Sequence, residues 1–177
     1  AEKMTPAVMP IDLEPSPALR MYGKYPPTLK GRKVGVLLAA GFDLKLKNEL
    51  VEMIKKEGAT VAIIAPKVGG VEDSAGAKHK ADGALSGSPS VVFDAVAVRA
   101  GPAGEKMLTA TPAAVGCLRD PSPHHKATSL GGVPGVPPHT QVGGEVGVTE
   151  VASSKDLTAF ITFARNGKVW EREPSKS

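Results

Sequence analysis

The segment KVGVLLAAGFDLKLKNELVEMIKKEGATVAIIAP, residues 33–66, decides the fold class of this chain. Its first part, 33–39, is a short apolar run bounded by turn residues, which is typical of a strand buried on both faces. Residues 44–56 then place apolar and charged side chains at helical spacing, and Gly58 follows as a stop signal. A second apolar, β-branched run covers residues 60–66. Strand, helix and strand within this length predict a βαβ unit with parallel pairing.

Two later segments extend this pattern. The run DAVAV at residues 94–98 predicts a third buried strand. Thr111 and Pro112 favour the start of another helix, since threonine caps helix N-termini and proline fits the first helical position. Near the end, Ser154 as N-cap predicts a helix over residues 154–165 with apolar side chains on one face. Together these elements predict a layered α/β domain.

Proline and glycine mark the segments without such patterns. Residues 1–29 contain six prolines, which fix φ and remove amide donors, so we predict a leader or linker that runs extended over a surface. Residues 121–147 contain five prolines and six glycines without a sustained period, and we predict mostly loop there. The predicted organisation is a leader (1–29), one folded domain (30–172) and a short tail (173–177).

Composition and charge narrow the functional classes. The 177 residues, 41% of them hydrophobic, can form one domain with a substantial core. The formal charge is +4, but the lysines are interspersed with glutamates and only 4% of residues are aromatic, so we favour a solvated lysine-rich surface over nucleic-acid binding. No apolar run approaches the roughly 20 residues that span a bilayer, and we expect a soluble domain without a membrane partner. The single cysteine excludes an internal disulfide and leaves the compartment open.

Known nucleotide and nucleophile motifs do not match. A P-loop needs lysine directly after its second glycine, whereas Gly70 and Gly76 enclose five residues and Ala77 follows. The segment GALSG places Ser86 at its fourth position and precedes a strand, unlike a nucleophile elbow. A dinucleotide-binding glycine fingerprint is absent after the first predicted strand.

Isolated histidines and the cysteine have ordinary structural interpretations. His124 and His125 are adjacent and point in different directions, and His79 and His139 have no acidic or thiol neighbours at ligand spacing. We therefore expect surface or loop histidines and no metal site. Cys117 lies among apolar residues of a predicted helix, which favours a buried core thiol over a nucleophile.

Four stretches carry a resemblance to a known family: LKGRKVGVLLAAGFDLKLKNELVEMIKKEGATVAIIAPKVGGV (29–71), ADGALSGSPSVVFDAVAV (81–98), HHKA (124–127) and KDLTAFITFARNGKVWER (155–172). In this order they resemble the C-terminal domain of large-subunit catalases, over about residues 10–120 and 147–172. That domain is similar to the class I glutamine amidotransferase-like superfamily, which includes cysteine-dependent proteases, deglycases and holding chaperones. The resemblance implies a flavodoxin-like three-layer α/β sandwich with a central, mostly parallel sheet.

The same resemblance implies a degenerate active site. Active superfamily branches carry a cysteine on an elbow that should fall near residues 127–132, where this chain has none, and Asp43 is the only candidate for the accompanying acid. Without a nucleophile the acid has nothing to activate. We therefore predict no catalytic, cofactor-binding or metal-binding residues. The stretch at 81–90 is expected to form a connection with a short hairpin, in which glycine and serine serve the turns.

Three functions follow as hypotheses. The first is a non-catalytic domain that stabilises a large catalase, secreted or cytoplasmic with its parent, and that holds unfolding client proteins without ATP; its partners are the catalase core and those clients. Haem is assigned to that core, because the only tyrosines, Tyr22 and Tyr25, lie in the leader. The second is a residual hydrolase or deglycase that uses Cys117 or Ser129. The third is a small-ligand or nucleotide binder at the strand carboxyl ends. We assign client binding to the apolar residues Val8, Met9, Ile11, Leu13, Val133 and Val136.

Overall fold

A six-stranded sheet with parallel pairing throughout forms the centre of the computed structural model, which describes residues 7–9, 11, 13–14, 16–21, 23–24, 26–132 and 146–172. The strands are β1 (Lys33–Leu38), β2 (Thr60–Ala65), β3 (Val71–Glu72), β4 (Lys78–His79), β5 (Gly83–Ala84), β6 (Ala95–Arg99), β7 (Thr128–Gly131) and β8 (Val148–Glu150). The helices are α1 (Leu44–Lys56), α2 (Pro102–Ala110), α3 (Pro112–Arg119) and α4 (Ser154–Asn166). The sheet order is β5-β2-β1-β6-β7-β8, and β3 and β4 form a separate antiparallel pair.

The register of β1 confirms the predicted parallel unit. Val34 is opposite Val61 of β2 on one side and opposite Ala95 of β6 on the other. All residues of β1 after Lys33 are buried, as expected for a strand covered on both faces. The three strands predicted first are therefore the central strands of the sheet.

Helices cover both faces of this sheet and give the three-layer sandwich that was predicted. On one face, Leu50 and Ile54 of α1 pack with Leu157 and Phe160 of α4. On the other face, α2 and α3 contribute a second buried cluster that includes Leu108. The helix predicted over 154–165 is present as α4, but its N-cap is Ser153, one residue before the predicted cap, because Ser153 and Asp156 form a capping box.

Glycines allow the loop after β1 to touch the start of α2. The amides of Gly101 and Gly104 donate to the Ala40 carbonyl at 3.0 and 3.2 Å. A Cβ on Gly101 would stand 2.4 Å from the Gly41 carbonyl oxygen, so only glycine permits this approach. The contact draws the carboxyl ends of β1 and β6 together.

The structure departs from the sequence-based predictions at two connections. Residues 128–131, inside the segment predicted as mostly loop, form the buried strand β7. Hydrogen bonds to the neighbouring strands stabilise it, and the local sequence pattern does not indicate these bonds. The short hairpin lies at β3 and β4, before the stretch 81–90 to which it was assigned. That stretch instead adds the edge strand β5 and two short 3₁₀ turns.

The described helices include none that is both long and apolar enough to cross a bilayer. Leu29, the last residue of the predicted leader, is fully buried in the core beside α1 and α4.

Candidate functional site

A cavity of about 670 Å³ opens where strands β1, β6, β7 and β8 end. Loops after the carboxyl ends of parallel strands gather at one edge of the sheet, where open α/β folds usually hold ligands. The loop after β1, the ends of β6 and β7, and the β8–α4 connection all contribute to its wall. We call this cavity the carboxyl-end pocket.

Arg99, the last residue of β6, forms the floor of the carboxyl-end pocket. It is only 2% exposed; its Nη1 donates to the Val98 carbonyl at 2.6 Å and its Nη2 to Ser129 Oγ at 3.0 Å. Within the described part of the chain, Nε has no acceptor and no carboxylate forms an ion pair with the guanidinium. Burial lowers the pKa of Arg99 from its ordinary value to about 10. Arg99 is therefore a buried cation at neutral pH that forms no ion pair with any carboxylate of the described residues.

Three carboxylates line the same pocket nearer to solvent. Asp43 and Glu150 are exposed, and Asp43 Oδ1 also caps α1 by accepting the Leu46 amide at 2.9 Å. Asp156 Oδ2 accepts the amide and the hydroxyl of Ser153 at 2.8 and 3.0 Å. Hydrogen bonds from Ser153 hold the pKa of Asp156 below its usual value. The pocket thus has a basic floor and an acidic mouth.

The positions implied by the superfamily resemblance meet in this pocket. Asp43 lies on one side, and Leu130, Gly131 and Gly132, from the expected elbow region, lie on another. The described lining residues include no cysteine, serine or threonine. Ser129 is fully buried beneath Arg99 and does not line the cavity. The carboxyl-end pocket therefore brings the candidate acid to the elbow region, but none of its described lining residues has a hydroxyl or thiol for the acid to activate.

Cys117 lies on α3, in the core cluster on the opposite face of the sheet from α1 and α4. It is 6% exposed, which confirms the prediction of a buried thiol. Burial, followed by the charge of Asp120, raises the pKa of Cys117 to about 11. A thiol in this state is almost entirely protonated at neutral pH and is a poor nucleophile.

The histidines do not assemble into a metal centre within the described residues. His79 does have an acidic neighbour, contrary to the sequence-based expectation, because the β3–β4 hairpin brings its Nε2 to 2.7 Å from Asp73 Oδ2. His125 stacks on Trp170 with ring centroids 5.8 Å apart. His124 is exposed, and His139 lies outside the described residues.

Residues 30–128 match the family described as the C-terminal domain found in long catalases. This chain belongs to that family. It is 35% identical to Catalase C of Rhizobium meliloti over 168 residues, which is 93% of this chain and 24% of the relative. It is 29% identical to Catalase HPII of Pseudomonas aeruginosa over 162 residues, or 90% of this chain and 23% of the relative. This catalase C-terminal domain therefore spans about a quarter of the length of these relatives.

A solved structure supports the fold assignment of the catalase C-terminal domain. A two-domain protein of Anabaena variabilis, which contains DJ-1/ThiJ/PfpI-like and ferritin-like domains, matches with a TM-score of 0.52 and 18% identity. The match covers 56% of this chain and 30% of that one. At this identity the likeness concerns the fold alone, and it agrees with the flavodoxin-like sandwich.

Sequence reasoning missed Glu150, Asp156 and Arg99 among the pocket residues. Arg99 is the buried one of the three. It follows the apolar run DAVAV directly, and an arginine at a strand end is usually read as the first solvent-exposed residue. Its burial depends on β7, which was not predicted and which supplies Ser129 and Gly131 around it. The one sequence feature that could have indicated this site is the position of a charged residue between a buried strand and the glycine turn at Gly101.

Proposed function

We propose that this domain is non-catalytic and stabilises a long catalase by docking onto the rest of that polypeptide through an apolar arm. The arm consists of Val8, Met9, Ile11, Leu13, Leu19 and Met21. The family membership and the coverage of about a quarter of each relative support a larger parent protein. The docking partner is then the catalase core of the same chain.

The exposure of the arm is the observation that carries this proposal. Its six side chains are 58–84% exposed, although together they offer a large apolar area within a short segment. A cluster of this kind on a soluble protein marks an interaction site. Local contacts such as the Arg20 amide to the Ser16 carbonyl at 2.9 Å shape the segment without covering it. Burial of the arm against the core would remove this area from water and stabilise both parts.

The geometry of the carboxyl-end pocket supports a non-catalytic role. The described lining residues lack a hydroxyl or thiol nucleophile, and Cys117 lies in the core on another helix with a raised pKa. The residual hydrolase hypothesis therefore has no reacting group among these lining residues. The same lining residues do not fit haem either, because they include no histidine, tyrosine, cysteine or methionine to act as an axial ligand. We assign haem to the catalase core.

A second candidate, an ATP-independent holding chaperone, is favoured by the same arm. Exposed apolar side chains on a charged, lysine-rich scaffold can cover sticky segments of an unfolding client while the charges keep the complex dispersed. Of the residues assigned to client binding from sequence, Val8, Met9, Ile11 and Leu13 are exposed, and Val133 and Val136 lie outside the described residues.

The two functions separate in one experiment on the complete catalase and on the 177-residue chain. The variant Val8→Ser/Ile11→Ser/Leu13→Ser replaces three apolar side chains of the arm with polar ones. The control is Val68→Ser, which makes the same kind of change at an exposed valine outside the arm. Docking predicts that the triple variant shortens the thermal inactivation half-life of the complete catalase several-fold, whereas Val68→Ser does not. Unchanged half-lives contradict the docking function. Holding predicts that the isolated chain suppresses light scattering by a heated client and that the triple variant does not.

A further inference from the structure

The described residues only partly compensate for the free-energy cost of burying the Arg99 guanidinium. Removing a guanidinium from water is costly unless an anion or a full set of acceptors replaces the solvent. Here the two observed acceptors are neutral, the Val98 carbonyl and Ser129 Oγ. The nearby carboxylates of the pocket form no ion pair with it. A buried arginine in this state, at the floor of a large cavity, is suited to receive an external anion.

We propose that the carboxyl-end pocket binds a small zwitterion of amino-acid or dipeptide size, with its carboxylate against Arg99 and its ammonium group toward Asp43, Glu150 and Asp156. This site goes beyond the proposed docking function, which involves the arm alone. It needs no catalytic group, in agreement with the absence of a hydroxyl or thiol among the described lining residues.

The carboxylate end is assigned from the geometry around Arg99. A guanidinium has five N–H donors, and the observed hydrogen bonds account for two nitrogen atoms only, with Nε left over. Its planar fork matches a carboxylate in shape as well as in charge. Gly131 keeps this floor low, because a Cβ there would stand 3.0 Å from Nη1 of Arg99. The side chain can therefore lie flat against the end of β7.

The ammonium end is assigned from the charges at the mouth. Three carboxylates against one arginine give the pocket a net negative charge, which disfavours phosphate and other multiply charged anions. A carboxylate that carries its own cationic group avoids this repulsion. Glu150 is the acceptor left for the ammonium, since no hydrogen bond or ion pair engages its side chain within the described residues, whereas Asp43 and Asp156 already cap helices. The volume of about 670 Å³ has room for an amino acid or a dipeptide.

The test measures thermal unfolding of the 177-residue chain with five probes: L-alanine, L-alanyl-L-alanine, propionate, L-alaninamide and inorganic phosphate. The variants are Arg99→Met, Glu150→Gln and, as a charge-matched control on the exposed end of α1, Lys55→Met. We expect at least one zwitterion to raise Tm saturably by roughly 3–6 °C at high concentration. Propionate, alaninamide and phosphate should shift Tm by less than a third as much. Arg99→Met should abolish the zwitterion shift, Glu150→Gln should reduce it several-fold, and Lys55→Met should retain it.

Several outcomes overturn the proposal. The first is the absence of a shift with either zwitterion. The second is a shift that Arg99→Met retains, provided that this variant shows its own cooperative transition. The third is an equal or larger shift with propionate or phosphate, since the acidic mouth would then have no part in selection. A direct calorimetric titration of the strongest probe into wild-type and Arg99→Met protein checks each result without relying on stability.

Discussion

Gly131 of β7 and Arg99 of β6 are packed directly against each other: a Cβ at Gly131 would stand 3.0 Å from both Cδ and Nη1 of Arg99. This spacing is tighter than ordinary van der Waals contact, so any larger residue must move the arginine. The pair therefore couples the sheet core to the floor of the carboxyl-end pocket.

Gly131→Ala should lower the free energy of unfolding by about 1–3 kcal/mol, because the added methyl overpacks a buried site between two strands. Gly116→Ala is the matched control, since a Cβ there meets only Asp120 Oδ2 at 4.0 Å. In the interior of α3 that change should stabilise the protein by about 0.5–1 kcal/mol. Urea denaturation of both variants checks the opposite signs, and equal effects would contradict the packing described for Arg99.

Arg99→Met should raise the free energy of unfolding at pH 7 by roughly 1 kcal/mol. The depression of the Arg99 pKa to about 10 corresponds to a burial penalty of roughly 3 kcal/mol, and loss of its two hydrogen bonds offsets about 2 kcal/mol of the gain. The penalty is fully present at pH 7, well below the folded pKa. Urea denaturation measures the change. Destabilisation by more than about 2 kcal/mol would indicate a counter-charge on Arg99.

The sequence predicted the central part of this fold because its signals are local. Each of the strands β1, β2 and β6 is a continuous apolar run, and α1 and α4 combine helical periodicity with a stop glycine. Such segments need no knowledge of their neighbours. The parallel order of the first two strands then follows from the length of the connection between them.

The edges of the sheet and the floor of the pocket were not predictable in this way. Strand β7 has the sequence TSLG, with one large apolar residue, and is buried between β6 and β8 and against α4. The burial of Arg99 depends in turn on β7. The pairing of His79 with Asp73 likewise requires the β3–β4 hairpin, which was expected at a later stretch. These features depend on contacts between distant segments that no single stretch encodes.

Cys117 should react slowly with thiol reagents in the native protein. Burial keeps it 6% exposed and raises its pKa to about 11, so both access and thiolate fraction are low. At pH 8, we expect labelling at least a hundredfold slower than in denaturant, with a rate set by unfolding. Rapid native labelling would contradict the position of α3 in the core. Cys117→Ala should speed the thermal inactivation of the complete catalase only as far as the variant lowers the stability of the domain.

The β3–β4 hairpin should loosen in acid. The His79 hydrogen bond, with the amides of Ala77 and Ala75, holds the pKa of Asp73 below 3.8 over the opposing effect of burial. A carboxylate whose pKa is depressed by folding stabilises the folded state above about pH 4. This stabilisation is lost as the pH falls through the pKa that the group has in the folded protein. Amide exchange of Ala75 and Ala77 should therefore accelerate in that acid range, after correction for intrinsic rates. Asp73→Asn should show fast exchange already at pH 6 and little further change; a pH profile equal to that of the wild type would contradict the assignment.

The most direct test of the docking function is amide hydrogen exchange of the apolar arm in the complete catalase and in the 177-residue chain. Val8, Ile11 and Leu13 are at least 80% exposed in the chain alone, so we predict exchange near intrinsic rates there. In the complete catalase, burial against the core should slow the same amides at least tenfold, whereas Val68, exposed on the domain surface, should exchange equally in both. Equally fast exchange of the arm in the two proteins would contradict the account, because the arm would then not be docked.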